Sequence, residues 1–308
     1  MNESFDILLA SPRGFCAGVE RAIETVKLCL EKHGRPVYVL HEIVHNKHVI
    51  MELEKSGAIF VEHLNDIRKG EVCIFSAHGV STAVEKYAAE LGLRTVDATC
   101  PLVSSVHRMV EKYHSIDYDV LIIGHHNHPE VEGTAGRVFG RVHIVADEIE
   151  AEKIEVNDRK KVAYVTQTTL CKSDVRGILA ILKERFPDIK GPRSNICFAT
   201  QNRQNAVKQL AESSDLLLVV GSRNSSNSNR LKEVGLKCNI RTHLIDDKDD
   251  IHPEWLRGIK KVGITAGASA PERLVEGVID WMVLHGGKKV IEMEGITEKI
   301  HFKPAILS

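Results

Sequence analysis

The chain has 308 residues, 43% of them apolar and 27% charged, with 41 Lys and Arg against 42 Asp and Glu. This is the composition of a folded globular protein, and the even charge balance excludes a broad cationic surface for nucleic acid or an anionic membrane. No run approaches the roughly 20 apolar residues of a membrane span, and MNESFDILLASPR lacks the basic start and long apolar core of a secretory signal, so a cytoplasmic protein is expected.

In chain order, the apolar runs of strand length are DILLAS, VYVLHE, AIFVE and VCIFSAHG, then RTVDAT, VLIIGH, VHIVA and VAYVTQ, then SNICFAT, LLLVVGS, THLID and VGITAG. Stretches with helical spacing separate them, and the same order recurs in each third. The pattern predicts an α/β protein of three lobes, each with a four-stranded sheet. Residues 1–17 would form an N-terminal strand ending at the first site cysteine, the lobes would span 18–100, 101–197 and 198–285, and 286–308 would be a tail. In every third the second strand runs into a polar cluster (HEIVHN, GHHNHPEVEG, GSRNSSNSNR) and the fourth into another (SAHGVS, TQTTL, TAGASAPE). Ligands gather at the carboxyl ends of parallel strands, so these ends are expected to form one shared site.

Cys16, Cys100 and Cys197 each follow the first strand of a third and open a helical stretch. A helix N-terminus stabilises a thiolate, the form that binds metal. The seven cysteines contain no C-x-x-C pair, and their odd number without an export signal argues against a disulfide framework. Three thiolates at one point favour iron-sulfur chemistry, and a four-iron cluster with only three protein ligands keeps one iron open to substrate. The alternative for each is a small buried residue at a strand end. Cys29 and Cys73 read as core, Cys171 as close to the site and Cys238 as structural.

Of the sixteen histidines, His45, His78 and His128 stand at equivalent strand ends, whereas His33, His41, His63, His114, His125 and His126 read as solvated or locally bonded. With Ser225, Ser226, Asn227 and Ser269 they supply donors fit for a compact, highly charged anion such as a diphosphate. ASAPE also reads as a helix start in which Ser269 and Glu272 form a capping box around Pro271. No G-x-x-x-x-G-K-[ST] and no strand-borne G-x-G-x-x-G occurs, so the anion is not expected to be ATP or a dinucleotide. Glu130 is the acid nearest these groups. Burial would raise its pKa towards a range suited to moving protons, with Thr168 facing it as an orienting hydroxyl. A solvated helix start is the alternative for Glu130 and Glu132.

The strings SPRGFCAGVERAI, EIVHN, SAHGVS, DATCPLV, NHPEVEG, TQTTL, GSRNSSNSNRL and GASAPE, in this order over about residues 5–285, closely resemble the 4-hydroxy-3-methylbut-2-enyl diphosphate reductase family. The resemblance implies a trefoil of three pseudo-threefold-related α/β lobes around one 4Fe-4S cluster, held by Cys16, Cys100 and Cys197 with one open iron. It implies a substrate diphosphate among His45, His78, His128, Ser225, Ser226, Asn227 and Ser269, with Thr168 also touching substrate and Glu130 supplying protons through a network that includes Thr168. The implied reaction is reductive dehydroxylation to isopentenyl and dimethylallyl diphosphates, the last step of the methylerythritol phosphate route, with ferredoxin or flavodoxin as electron donor. Cys171 stands where the family commonly has serine. A quinolinate-synthase-like dehydratase would need groups for two carboxylates, and an iron-sulfur sensor would need a basic stripe or an added domain. No long exposed apolar helix advertises a partner, so a monomer is expected.

Overall fold

The structure, a computed structural model, describes residues 4–305. The chain runs through β1 (Phe5–Leu9), α1 (Ala17–His33), β2 (Val37–Leu40), α2 (Lys47–Lys55), β3 (Ala58–Val61), β4 (Val72–Phe75), α3 (Thr82–Glu90) and β5 (Arg94–Asp97). There follow α4 (Pro101–Ser115), β6 (Asp119–Ile123), α5 (Pro129–Ala135), β7 (Val142–Val145), α6 (Glu148–Lys153), β8 (Val162–Thr166) and α7 (Lys172–Arg185). The last elements are α8 (Phe198–Ala211), β9 (Leu216–Val220), α9 (Ser226–Lys237), β10 (Arg241–Ile245), β11 (Lys261–Ala266), α10 (Glu272–Leu284) and β12 (Gly287–Glu292).

These elements belong to two compact units. One comprises the segment up to Cys16, His45–Val49 and Phe198–Ile300, and holds a five-stranded sheet in the order β10-β9-β11-β1-β12. The other comprises Ala17–Val44, Ile50–Cys197 and the segment from His301, and holds a four-stranded sheet, β3-β2-β4-β5, and a three-stranded one, β7-β6-β8. Every strand pairing is parallel.

The α/β class and the three sheets are those read from the sequence, but the strands are shared out as five, four and three, not four each. The strands that form before Cys100 and Cys16 join the sheet of another third. RTVD forms β5 beside β4 (Ile74↔Val96), and DILL forms β1 beside β11 (Ile7↔Val262). The strand expected in SNICFAT does not form. Its neighbourhood contributes a single bridge to β8, in which Lys190 N donates to Val162 O at 3.0 Å and Tyr164 N donates to Lys190 O at 2.7 Å. The next rung would need the N–H of residue 192, and Pro192 has none. The tail supplies the fifth strand of the other sheet, β12, which lies outside β1 (Ile7↔Val290) with exposed Lys288 and Lys289 on that edge.

All three sheets therefore share one order, and in each the direction of strand succession reverses between the first and third strands, β2 and β4, β6 and β8, or β9 and β11. Such a reversal opens a crevice at the carboxyl ends of those strands. The strands themselves are fixed by burial on both faces: LLLVV of β9, DVLII of β6 and VAYVT of β8 are buried at every residue. Ile7, Leu218, Ile264, Val278 and Met282 share one core cluster, and each contributes about 1.5–3 kcal/mol by leaving water. Among the described residues no helix is long and apolar enough to cross a membrane.

Candidate active site

Cys16 stands directly before α1, Cys100 is the N-cap of α4 with Pro101 in its first turn, and Cys197 stands directly before α8. Their backbone amides are anchored alike. Each donates to the carbonyl of the second residue beyond the third strand of a sheet: Cys16 to Ala268 at 3.1 Å after β11, Cys100 to Ala77 at 3.0 Å after β4, and Cys197 to Thr168 at 3.0 Å after β8. These three cysteines are half-buried, whereas Cys29, Cys73 and Cys171 are buried and Cys238 is exposed. Burial pushes the Cys73 thiol up to about 12 and raises that of Cys29, which keeps both protonated in the core. Cys171 is the N-cap of α7 and accepts from Ser173 Oγ at 3.2 Å. Cys238 is exposed and is the C-cap of α9, its N–H donating to the carbonyls of the last helical turn.

Half-buried thiols at the starts of long helices, each with its amide fixed, suit the thiolate donor set of an iron-sulfur cluster better than that of an oxygen-seeking cation. Among the described residues no group of three or more His, Cys, Asp and Glu side chains is arranged to hold a metal ion.

The residues whose carbonyls receive the cysteine amides are themselves held, through their own N–H groups, from the other side of each crevice. Thr168 N donates to Glu130 Oε1 at 2.6 Å, Ala268 N to Asn227 Oδ1 at 2.9 Å, and Ala77 N to Ile43 O at 3.2 Å. Glu130 and Asn227 are each the seventh residue after a first strand, β6 or β9, and each lies in the first turn of a helix. Thr168 Oγ1 also donates to Glu130 Oε2 at 2.9 Å. Glu130 is 4% exposed, so it is no solvated helix start. Burial pushes its carboxyl up to about 7, against the two hydrogen bonds from Thr168, which favour the charged form.

His45, His128 and Ser225 are each the fifth residue after a first strand, while His78 and Ser269 are each the third residue after a third strand. His45 and His128 are thus equivalent, and His78 is equivalent to Ser269. In the second unit the His78 and His128 rings meet edge-on at 6.1 Å. His128 Nδ1 accepts from Glu130 N at 3.2 Å, which puts the proton of the neutral ring on Nε2 and makes that atom a donor. Helix α5 presses on the turn after His78, since a Cβ at Gly133 would come within 2.8 Å of Gly79 O, and Gly79 itself has φ +78°.

In the first unit Ser225 caps α9 by accepting from Ser228 N at 3.3 Å, and Ser226 begins that helix. Ser269 Oγ donates to His45 O at 2.9 Å. The capping box expected for Ser269 and Glu272 does not form. Pro271 is the N-cap of α10, and Glu272 is taken by Arg13, whose Nη2 donates to it at 2.7 Å.

Two residues escaped the sequence reading. Asn46, fully buried, accepts from His48 N at 3.1 Å and Val49 N at 3.2 Å and so caps α2 just behind His45. Arg203 of α8 is 1% exposed and donates to Gly14 O (3.0 and 2.8 Å) and to Phe15 O (3.0 Å), the two carbonyls that precede Cys16. Its charge is met by Glu298 Oε2 at 3.1 Å. The signal for Arg203 is a cation inside the apolar stripe Ala199, Ala206, Val207 and Leu210, all buried.

The sequence profile of the LytB protein family matches residues 7–283. A 4-hydroxy-3-methylbut-2-enyl diphosphate reductase of Desulfotalea psychrophila is 63% identical over 306 residues, covering 99% of this chain and 98% of that protein. One of Zymomonas mobilis is 51% identical, covering 96% and 88%. The solved structure of the E-1-hydroxy-2-methyl-but-2-enyl-4-diphosphate reductase from Plasmodium falciparum matches with a TM-score of 0.92 at 39% identity, over 96% of this chain and 94% of that one. The chain belongs to the LytB protein family and is one of its oxidoreductases.

Proposed function

We propose that this protein reduces (E)-4-hydroxy-3-methylbut-2-enyl diphosphate to isopentenyl and dimethylallyl diphosphates and water, the last step of the methylerythritol phosphate route. The observation that carries the reading is the common anchoring of Cys16, Cys100 and Cys197 at helix starts, and the names of the relatives supply the substrate. A 4Fe-4S cluster bound by these three thiolates, with one iron lacking a cysteine, would supply single electrons and Lewis acidity. Everything else falls to the chain. His45, His78, His128, Ser225, Ser226, Asn227 and Ser269 bind the diphosphate as hydrogen-bond donors. Glu130, poised near neutrality by burial, gives a proton to the departing hydroxyl, and Thr168 fixes the carboxyl and the substrate oxygen in line. The balance is two electrons and two protons per carbon–oxygen bond broken. One proton leaves with the hydroxyl as water, and the other ends on carbon.

The lobes 18–100, 101–197 and 198–285, and a cytoplasmic monomer served by ferredoxin or flavodoxin, belong to the same proposal. The test is anaerobic oxidation of reduced viologen by iron-sulfur-loaded protein on addition of this diphosphate, with products identified by mass. Isoprenoid diphosphates are the expected products, and silence from a protein of verified four-iron content would remove the substrate.

A further inference from the structure

The strand missing after β8 leaves a groove of about 430 Å³ on the edge of the β7-β6-β8 sheet. In the other two sheets the equivalent place is filled by β5 and β1. The floor of the groove is apolar, made by Tyr164, Val175, Leu179 and Ile196. Its rim carries Lys172, Arg176 and Lys183 from α7 and Arg193 from the segment opposite, and no acidic side chain lines it. The three α7 cations are spaced four and seven residues apart and so share one helix face. None of the four forms an ion pair among the described residues. In a chain whose formal net charge is −1, this is a local excess of uncompensated positive charge.

The groove is also wired to a cysteine. Ile196 directly precedes Cys197, and the floor strand β8 runs on to Thr168, whose carbonyl accepts the Cys197 amide at 3.0 Å. A reductase needs two electrons per turnover, and this sequence holds no dinucleotide fingerprint with which to take them from a nicotinamide. The electrons must arrive on another protein.

We propose that this groove docks an acidic one-electron carrier protein, setting the carrier's redox centre beside Cys197; the proposal rests on the reductase reading above. Two dockings serve one turnover, each oxidising one carrier by one electron. The cationic rim steers the carrier and the apolar floor excludes water at the contact.

The experiment uses iron-sulfur-loaded protein and two reductants, a reduced acidic ferredoxin and reduced methyl viologen, with wild type and the charge-reversed R176E/K183E and K172E/R193E variants. All four positions are exposed, so folding and iron content are expected to match wild type, and single reversals at each position serve where a double variant does not fold. At low ionic strength the ferredoxin-driven kcat/KM should fall by about tenfold or more in each double variant, and its salt dependence should flatten, while the viologen rate stays unchanged. Unchanged ferredoxin kinetics overturn the proposal. So does a raised KM for the diphosphate in the viologen assay, which would assign the groove to substrate. Failure of wild type with viologen would instead sink the reductase reading, so the two failures are told apart.

Discussion

Thr168 joins Glu130 to Cys197 through a single residue: its amide and hydroxyl donate to the two carboxyl oxygens at 2.6 and 2.9 Å, and its carbonyl accepts the Cys197 amide at 3.0 Å. Asn227 holds the equivalent residue, Ala268, by its N–H with a neutral amide oxygen. The protein thus contains its own precedent for an amide in the place of Glu130. Glu130→Gln is expected to keep cluster, fold and diphosphate affinity while turnover falls by about 10²-fold or more, because only the proton is removed. Steady-state rates with an isothermal measurement of diphosphate binding would check this, and near-normal turnover would clear Glu130 of the acid role.

The same substitution carries a pH signature. The Glu130 carboxyl is raised from 4.5 to about 7 by burial, so the folded state holds its proton more tightly than the unfolded chain does. Its contribution to stability is complete below about pH 4.5 and is lost as pH rises through about 7, at a cost on the order of 3 kcal/mol for the charged form. Wild type should therefore lose stability relative to Glu130→Gln between pH 5 and pH 8. Denaturant unfolding of both proteins at those two pH values decides it, and parallel pH dependences would mean that the carboxyl is solvated in solution.

The cysteines divide by environment. Replacing Cys16, Cys100 or Cys197 by Ser should abolish stable four-iron content, since each is a half-buried thiol at a helix start. Replacing Cys238, which is exposed, or Cys171 by Ser should leave iron and acid-labile sulfide at wild-type levels. Full iron content in any of the first three would strike that residue from the ligand set.

Strands such as β9 and β6 were legible because a parallel strand buried on both faces must be a continuous apolar run, whatever its partner. Which sheet a strand joins was not, since β5 and β1 choose neighbours through crossovers that no local pattern records. SNICFAT has the apolar letters of a strand but fails on the missing N–H of Pro192, which lies outside the string itself. The crevice residues were legible as polar clusters after strands. The misread Ser269 cap shows the limit: Glu272 is drawn off by Arg13, 259 residues away in sequence. Arg203 was hidden for a related reason, because its carbonyl partners at Gly14 and Phe15 also lie far along the chain.

Gly133 sets how closely α5 approaches the turn after His78. A methyl group there would sit 2.8 Å from Gly79 O, a backbone atom that cannot swing away. Gly133→Ala should force the turn from α5, separate the His78 and His128 rings, and cost about 1–3 kcal/mol. Diphosphate affinity should weaken while iron content stays intact. An unchanged dissociation constant would show that the two histidines need not keep their 6.1 Å spacing.

Arg203 and Glu298 make the C-terminal segment part of the cysteine site. The guanidinium satisfies the carbonyls of Gly14 and Phe15, and it is Glu298 that compensates its buried charge. Two further contacts seat the same segment: Met293 N donates to Leu9 O at 2.9 Å, and Gly295 lies against Ser11 with no room for a side chain. Removing either partner of a buried pair leaves an uncompensated charge and costs about 3–5 kcal/mol. Arg203→Ala or Glu298→Ala should therefore loosen the loop ahead of Cys16. The expected results are faster iron release to a chelator and faster alkylation of Cys16 in the metal-free protein, with alkylation of Cys100 unaltered. Arg203→Lys should recover only part of the protection, because one ammonium cannot reach both carbonyls and the carboxylate as the planar fork does. Wild-type alkylation and release rates in both alanine variants would reduce the pair to a general stabilising contact with no particular hold on Cys16.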